Sequence, residues 1–208
     1  MERAALPTDP PRASTSAPAS GDHPRTIDNG GGERLTFVAV RRDDDGEYLE
    51  VHNAVAPGHG PPMHVHHLQE EGVTIERGTM GYQVLGEEER RAGPGESVTF
   101  PAGVAHRFWN AGTDELAGTG YIRPPDNLEY LLGELYASTR RNGGRRPGLF
   151  DAAFLSLRYR SEFEMTAIPR PVQRLLFPLV VAVGRLLGRE RRFAGAPEPV
   201  TRPRPPAR

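Results

Sequence analysis

The spacing of apolar residues divides the chain into a β-rich middle and a helical C-terminal part. Between residues 34 and 125, short runs of β-branched and aromatic residues alternate with glycine, proline and aspartate turns. Many short strands at close spacing are typical of an antiparallel sandwich or barrel, so we predict a mainly β domain over 34–125. The predicted strands are Leu35–Val40, Tyr48–Val55, Val73–Ile75, Met80–Leu85, Val98–Phe100, His106–Trp109 and Thr119–Ile122.

Beyond residue 125 the apolar residues recur with the period of an amphipathic helix. Asp126, followed three residues later by Glu129, predicts the start of this helix as a capping pair. Further helices are expected around residues 148–165 and from about Pro171 to Leu187. We therefore predict a helical extension over 126–192. The apolar residues that define its first helix are Leu128, Leu131, Leu132, Leu135 and Tyr136.

The two ends of the chain have a different composition. Residues 1–33 and 193–208 contain ten of the 21 prolines and few apolar side chains. Such segments cannot bury enough apolar surface to order their backbone, so we predict a disordered tail at each end. The leader lacks the apolar run of a secretory signal, and we expect the protein in the cytoplasm.

Composition excludes several kinds of chemistry. The 208 residues include no cysteine, and all 26 basic residues are arginine, so lysine is absent as well. A disulfide, a thiolate zinc site, a cysteine nucleophile and a lysine Schiff base are therefore excluded. The formal net charge of −1 argues against nucleic acid as a partner, and no helix-turn-helix pattern is found outside the β-rich region.

Candidate chemistry lies in a histidine-rich stretch, residues 58–78. His64 and His66 are two residues apart, so in a strand their imidazoles project from the same face, and two such imidazoles can share a metal. Glu71 falls on the same face of the next strand as Val73 and Ile75. Glu70 competes with Glu71 as a ligand, and the strand register favours Glu71.

A third imidazole comes from a stretch farther along the chain, residues 95–110. Pro101 and Gly103 predict a tight turn. After this turn, His106 shares one strand face with Phe108 and Asn110.

These two stretches carry both motifs of the cupin family, which the chain resembles. The first motif is Gly, five residues, His-x-His, three or four residues, Glu, six residues and Gly, found here at Gly58, His64, His66, Glu71 and Gly78. The second is Gly, five residues, Pro-x-Gly, two residues, His, three residues and Asn, found here at Gly95, Pro101, Gly103, His106 and Asn110. Sixteen residues, 79–94, separate the two motifs.

The resemblance implies a jelly-roll β-barrel with a metal inside one end. His64, His66, Glu71 and His106 would hold one divalent transition metal per chain. Imidazole and carboxylate ligands suit Fe, Mn, Ni, Co, Cu or Zn, so the ligand set does not choose among them. The resemblance also implies a homodimer and a small-molecule substrate, with a dioxygenase-like oxidoreductase as the first expectation for function. A redox-neutral cyclase, isomerase or lyase is the closest alternative, and a non-catalytic module that binds or senses a small ligand is another.

Three further side chains near the motifs are weighed for a role. Tyr82 has a hydroxyl that could reach a substrate, although core packing is the default for an aromatic residue in a strand. His59 lies in the loop before His64 and could act as an acid or base, although an ordinary loop histidine is favoured. Strand alternation directs His67 away from the site, which predicts a surface or edge histidine.

The segment 170–192 combines an apolar run with basic flanks. It contains six arginines and one glutamate, a net charge of +5. Its apolar run, Leu175–Gly184, is too short to span a bilayer. Packing against the β domain or within a dimer is favoured, and peripheral contact with an anionic membrane is the alternative.

Overall fold

The computed structural model describes residues 23–203, so most of the predicted N-terminal tail and the last five residues lie outside the described part. Eleven strands and three α-helices are present in residues 23–203. The strands are β1 (Arg25–Asp28), β2 (Glu33–Asp43), β3 (Gly46–Val55), β4 (Val65–His66), β5 (Glu70–Arg77), β6 (Met80–Val84), β7 (Arg90–Ala92), β8 (Ser97–Phe100), β9 (His106–Asn110), β10 (Leu116–Arg123) and β11 (Phe163–Glu164). The helices are α1 (Leu128–Arg141), α2 (Leu149–Arg158) and α3 (Phe177–Leu186).

The strands form two main antiparallel sheets. The larger has the order β1-β2-β3-β10-β5-β8, and the smaller has the order β7-β6-β9. Every strand predicted between residues 35 and 122 coincides with an observed strand to within a few residues. The prediction of a mainly β fold with a C-terminal helical part is therefore confirmed. The sequence did not indicate β1, which lies within the segment predicted as the N-terminal tail.

The core of the β region lies between the two sheets. In β10 the side chains alternate strictly between buried and half-buried, as expected for a strand with one face on a core. Val55 and Ile75 from the larger sheet pack in one cluster with Met80 and Phe108 from the smaller sheet. Asn110 of the second motif is also buried, and its amide donates hydrogen bonds to the carbonyls of Val55 (2.8 Å) and Asp114 (2.7 Å).

The helical part has a core of its own. Phe150, Phe154 and Tyr159 of the α2 region pack with Phe177 of α3 and Leu131 of α1. A separate cluster joins α1 to the larger sheet through Leu128, which packs with Phe37 and Leu49. The helices thus pack onto the β region through α1 and onto one another through α2.

Two helix predictions need correction and one is confirmed. The second helix ends at Arg158 instead of near 165, because residues 163–164 form β11 and pair with β4. Asp126 does not cap α1, because Asn127 occupies the N-cap position. The Asp126 carboxylate instead accepts hydrogen bonds from Gln69 (2.7 Å) and Arg202 (2.9 Å). The third helix is present as predicted: a π-helical turn, Val172–Leu176, leads directly into α3.

Within residues 23–203, no helix combines the length and the apolar character needed to cross a membrane.

Candidate metal centre

The three motif histidines and Glu71 converge between β4, β5 and β9. His64 and His106 exchange backbone hydrogen bonds of 2.9 and 2.8 Å, which places the two histidine motifs side by side. One potential ligand atom from each of the four residues lies within 4.8 Å of all the others. Glu70 points to the opposite face of β5, where it accepts a hydrogen bond of 2.7 Å from the Tyr121 hydroxyl.

Tight backbone turns bring these residues together. Gly58 precedes the first histidine pair with a φ of 76°, and Gly103 precedes His106 with a φ of 81°. Side-chain-bearing residues rarely adopt such positive φ values, whereas glycine does so at little cost. The motif glycines at these two positions therefore have a conformational reason, since each turns the chain into a ligand-bearing strand.

Hydrogen bonds orient two of the imidazoles. The Nδ1 of His64 donates to the Pro62 carbonyl at 2.8 Å, and the Nδ1 of His106 donates to the Val104 carbonyl at 2.9 Å. An imidazole that donates from Nδ1 presents the lone pair of Nε2 on its other side. The Nδ1 of His66 is buried and has no hydrogen-bond partner among residues 23–203.

The ligand-atom distances fit a shared cation. The Nε2 atoms of His64 and His66 are 3.2 Å apart, and Glu71 Oε2 lies 3.0 Å from His66 Nε2 and 3.3 Å from His106 Nε2. Ligand atoms about 2.1 Å from one transition metal at right angles are about 3 Å apart. Lone pairs that converge at this distance repel one another unless a cation lies between them. Three nitrogens and one oxygen are a ligand set that several transition metals accept.

The protonation states of the cluster suit metal binding. Burial lowers the pKa of His66 to about 4, and burial also lowers the pKa of His106. Burial alone would raise the pKa of Glu71, but the close contacts of its carboxylate with the three imidazoles outweigh it and hold that pKa well below its ordinary value. At neutral pH His66 and His106 are therefore neutral and Glu71 is ionised, as metal ligation requires.

Two aromatic rings form walls of the site. The Phe100 ring stacks on His106 with 3.9 Å between ring centroids and 3° between planes. The Phe163 ring lies with its centroid 5.5 Å from that of His64 and 5.4 Å from that of His66. Phe163 belongs to β11, which pairs with β4. The C-terminal part of the chain thus covers the histidine pair, which no local signal around Phe163 indicated.

The other residues weighed from the sequence have different surroundings. Tyr82 is half-buried on β6, with its ring centroid 6.1 Å from that of Phe100. His59 is exposed, and its ring lies against Gly32. The prediction of a surface position for His67 is wrong: its side chain is buried, and its Nε2 lies 3.5 Å from the Glu164 carboxylate. The segment that carries β11 covers His67, and strand alternation could not indicate that cover.

A polar group beside the cluster was missed by sequence reasoning. The Glu33 carboxylate accepts hydrogen bonds from the Tyr136 hydroxyl (3.3 Å) and the Asn29 amide (3.0 Å). Burial raises the pKa of Glu33, against the opposing effect of the nearby His59 and His64. Glu33 lies in the predicted N-terminal tail, and Tyr136 lies on the apolar face of the first predicted helix. Neither position carries a local signal for chemistry.

Glu33 and Tyr136 lie close enough to the cluster to interact with it electrostatically. Burial raises the pKa of Tyr136 well above its ordinary value, and the negative charges of Glu33 and Glu71 raise it further. The Tyr136 hydroxyl therefore interacts electrostatically with two carboxylates, Glu71 of the cluster and Glu33 of the N-terminal segment.

Comparison with known proteins gives matches over parts of the chain. The sequence model of the cupin domain family matches residues 51–118. The probable oxidoreductase virH of Hypocrea virens is 30% identical over 107 residues, which cover 48% of this chain and 47% of that protein. The oxidoreductase iacF of Pestalotiopsis fici is 31% identical over 75 residues, 35% of this chain and 37% of that protein. The matched region thus spans less than half the length of either relative.

Solved structures are similar over about half of the chain. KdgF from Halomonas sp. aligns with a TM-score of 0.43 and 20% identity, over 52% of this chain and 96% of that one. An uncharacterized conserved protein with a double-stranded beta-helix domain, from Klebsiella pneumoniae subsp. pneumoniae, aligns with a TM-score of 0.40 and 19% identity, over 45% and 78% of the two chains. Both histidine motifs, residues 58–110, lie inside the matched segment 51–118, so the chain contains a cupin domain over this segment.

Proposed function

We propose that the protein is a metal-dependent oxidoreductase that acts on a small molecule in a dioxygenase-like reaction. The observation that carries the proposal is the convergence of three imidazoles and one carboxylate whose potential ligand atoms lie within 4.8 Å of one another. The names of the two curated relatives, both oxidoreductases, support the same class of reaction.

His64, His66, Glu71 and His106 would hold one divalent transition metal. When bound, such a metal can activate dioxygen or polarise an oxygen of the substrate. The carbonyls of Pro62 and Val104 hold two of the imidazole rings in the orientation that ligation needs. The phenyl rings that flank the imidazoles limit the access of water.

Proton transfer is assigned to the polar group beside the cluster. Burial raises the pKa of the Glu33 carboxyl, so its carboxylate is a stronger base than usual. It can take a proton from a substrate and, once protonated, return it. Tyr136 and Asn29 hold its two oxygens in place. Tyr82 and His59 are alternative candidates for proton transfer because of their positions in the sequence near the motifs. Single substitutions distinguish these two residues from Glu33.

Metal content tests the ligand assignment. Purified protein is expected to contain about one transition-metal ion per chain, and His106→Ala and Glu71→Ala are expected to lose it. His52→Ala is the matched control, because the His52 side chain on β3 is 54% exposed and lies outside the cluster. Protein without metal that also gains none on reconstitution with each of the six candidate metals would contradict the proposal.

Oxygen chemistry is tested separately from metal binding. The Fe(II)-loaded protein is expected to bind nitric oxide, a dioxygen analogue, with a high-spin signal in electron paramagnetic resonance, and to consume dioxygen with a library of small organic substrates. Zinc as the native metal without dioxygen consumption would instead indicate a redox-neutral cyclase, isomerase or lyase. Metal binding without any turnover would indicate a ligand-binding or sensing module. Light scattering tests the proposed homodimer.

A further inference from the structure

Helix α3 and the turn before it present an apolar surface to solvent. In residues 23–203, six of the eight exposed large apolar side chains lie between residues 175 and 187. Leu186 is 88% exposed and Leu175 is 70% exposed. We call this surface the α3 face, and its members are Leu175, Leu176, Leu179, Val183, Leu186 and Leu187.

Folding of the chain itself does not explain the α3 face. The opposite side of the helix already packs on α2, with Phe177 and Val181 in the helical core and Gly184 against the Phe150 ring. Burial of that side is sufficient to hold the helix in place. Packing within the chain therefore does not require the α3-face side chains to be apolar. Large exposed apolar patches of this kind mark interaction sites.

Arginines at both ends of the α3 face give it a positive rim. Arg170 and Arg174 precede it, and Arg189 and Arg191 follow it. In the part of the chain that the structure describes, none of these four forms an ion pair, whereas Arg185 pairs with Glu190 at 2.8 Å. A rim of unpaired cations around an apolar centre is complementary to a surface with negative charge outside and hydrocarbon within.

The dimensions fit a helix that lies on a bilayer. The π-helical turn of five residues and α3 of ten residues are continuous, which gives a length of about 20 Å. That is shorter than the hydrocarbon core of about 30 Å, so the helix can lie only in the plane of the interface. At its C-terminal end, an open cavity of about 760 Å³ adjoins Leu186 and Leu187 and is also lined by Arg185 and Arg191.

We propose that the α3 face docks the protein onto the surface of a membrane that contains anionic lipids. The leucines would enter the boundary of the acyl chains, and the arginines would contact the phosphates of the headgroups. A second copy of the chain is a poorer occupant. Two-fold pairing of the α3 face with itself would bring the arginine-rich ends of one copy against those of the other, and like charges in such a contact oppose association.

Vesicle co-sedimentation of the full chain tests the proposal. The protein is expected to sediment with vesicles of phosphatidylcholine and phosphatidylserine, to stay in solution with phosphatidylcholine alone, and to be released by high salt. The combined variant Leu175→Ser, Leu179→Ser and Leu186→Ser should bind at least about a hundredfold more weakly, since each lost leucine contact is worth about tenfold. The pair Arg170→Gln and Arg174→Gln should weaken binding only at low salt.

A matched control uses the two exposed leucines outside the α3 face. Leu85 is 61% exposed and Leu149 is 60% exposed, so Leu85→Ser with Leu149→Ser should leave vesicle binding unchanged. Circular dichroism and metal content verify that all variants are folded. The proposal is overturned if the unmodified protein stays in solution with anionic vesicles, or if the control variant loses binding as strongly. It is also overturned if light scattering shows a dimer that the α3-face variant converts to a monomer.

Discussion

The β region and the C-terminal helical region place their apolar side chains differently. In residues 33–123, Leu85 is the one exposed large apolar side chain, so the apolar pattern of the strands is satisfied by the fold itself. In residues 126–203, Leu149 and the six side chains of the α3 face remain exposed. A pattern of apolar residues thus has one explanation in the strands, burial within the domain. In the helices the pattern has two explanations, because some apolar residues pack inside the domain and others remain exposed to solvent.

The two regions meet at the candidate metal centre. β11 of the C-terminal region pairs with β4, which carries His66. The fully buried Glu162 carboxylate accepts hydrogen bonds from the Asn127 amide group (2.9 Å) and the Val200 backbone (2.8 Å), and so holds the segment before β11 in place. The β region contributes the potential ligands, and the C-terminal region contributes a wall and Tyr136.

Removal of one potential metal ligand should have the largest effect, and loss of activity would show that the chemistry takes place in the β region. His106→Ala is expected to abolish metal retention and to reduce turnover about a thousandfold, since a bound metal supplies several kcal/mol of transition-state stabilisation. Metal analysis and dioxygen consumption measure both effects. Retention of metal with full turnover would show that the site lies elsewhere.

Removal of the Phe163 ring would test how far metal binding in the β region depends on the C-terminal segment that covers the histidine pair. Phe163→Ala is expected to lower the free energy of unfolding by about 3–5 kcal/mol, because a buried phenyl ring is replaced by a cavity, and to weaken metal binding. Urea denaturation measures the first effect and metal titration the second. Leu149→Ala, at an exposed position of the same region, should change stability by less than about 0.5 kcal/mol. Unchanged metal affinity in Phe163→Ala would separate the two regions functionally.

Acid should destabilise the metal-free protein through the cluster. An unfolded histidine takes up a proton near pH 6.5, whereas native His66 does so only near pH 4. Between these values the unfolded state binds more protons, so stability falls as the pH falls through this window, by about 3 kcal/mol for this group. Glu71 acts in the same direction below pH 4.5, because its native pKa is lowered. Denaturation at the two ends of the window measures the loss, and equal stability at both ends would contradict it.

The smallest effect is expected from the polar group that joins the regions. Glu33→Gln keeps the shape of the side chain and removes its acid–base function, so turnover should fall about tenfold to a hundredfold while metal content is unchanged. The pH profile of turnover should lose the limb due to this carboxyl. Tyr136→Phe should have a weaker effect in the same direction, and His59→Gln and Tyr82→Phe measure the two alternatives. A loss of metal in Glu33→Gln would show that it acts on the cluster instead.

Local spacing explains what could be predicted. His64 and His66 project together because strand side chains alternate with a period of two, and the turns at Gly58 and Gly103 need a backbone that glycine adopts easily. The choice of Glu71 over Glu70 followed from the same alternation. The predicted capping role of Asp126 failed because the helix begins one residue later, with Asn127 at its N-cap, while the distant Arg202 binds the Asp126 carboxylate. The burial of His67 was missed because its cover comes from residues about a hundred positions later in the chain.

The sequence by itself determined the strands of the β region, the cupin motifs and the four residues of the candidate metal site, because each of these depends on spacing within a few residues or on one turn. Only the tertiary structure decided that Phe163 and Tyr136 lie beside that site, that Glu33 belongs to an ordered strand, and that one side of α3 is left to solvent. These features depend on contacts between segments far apart in the chain. An amphipathic or apolar pattern predicts which residues favour burial, and only the folded chain shows which of them are buried.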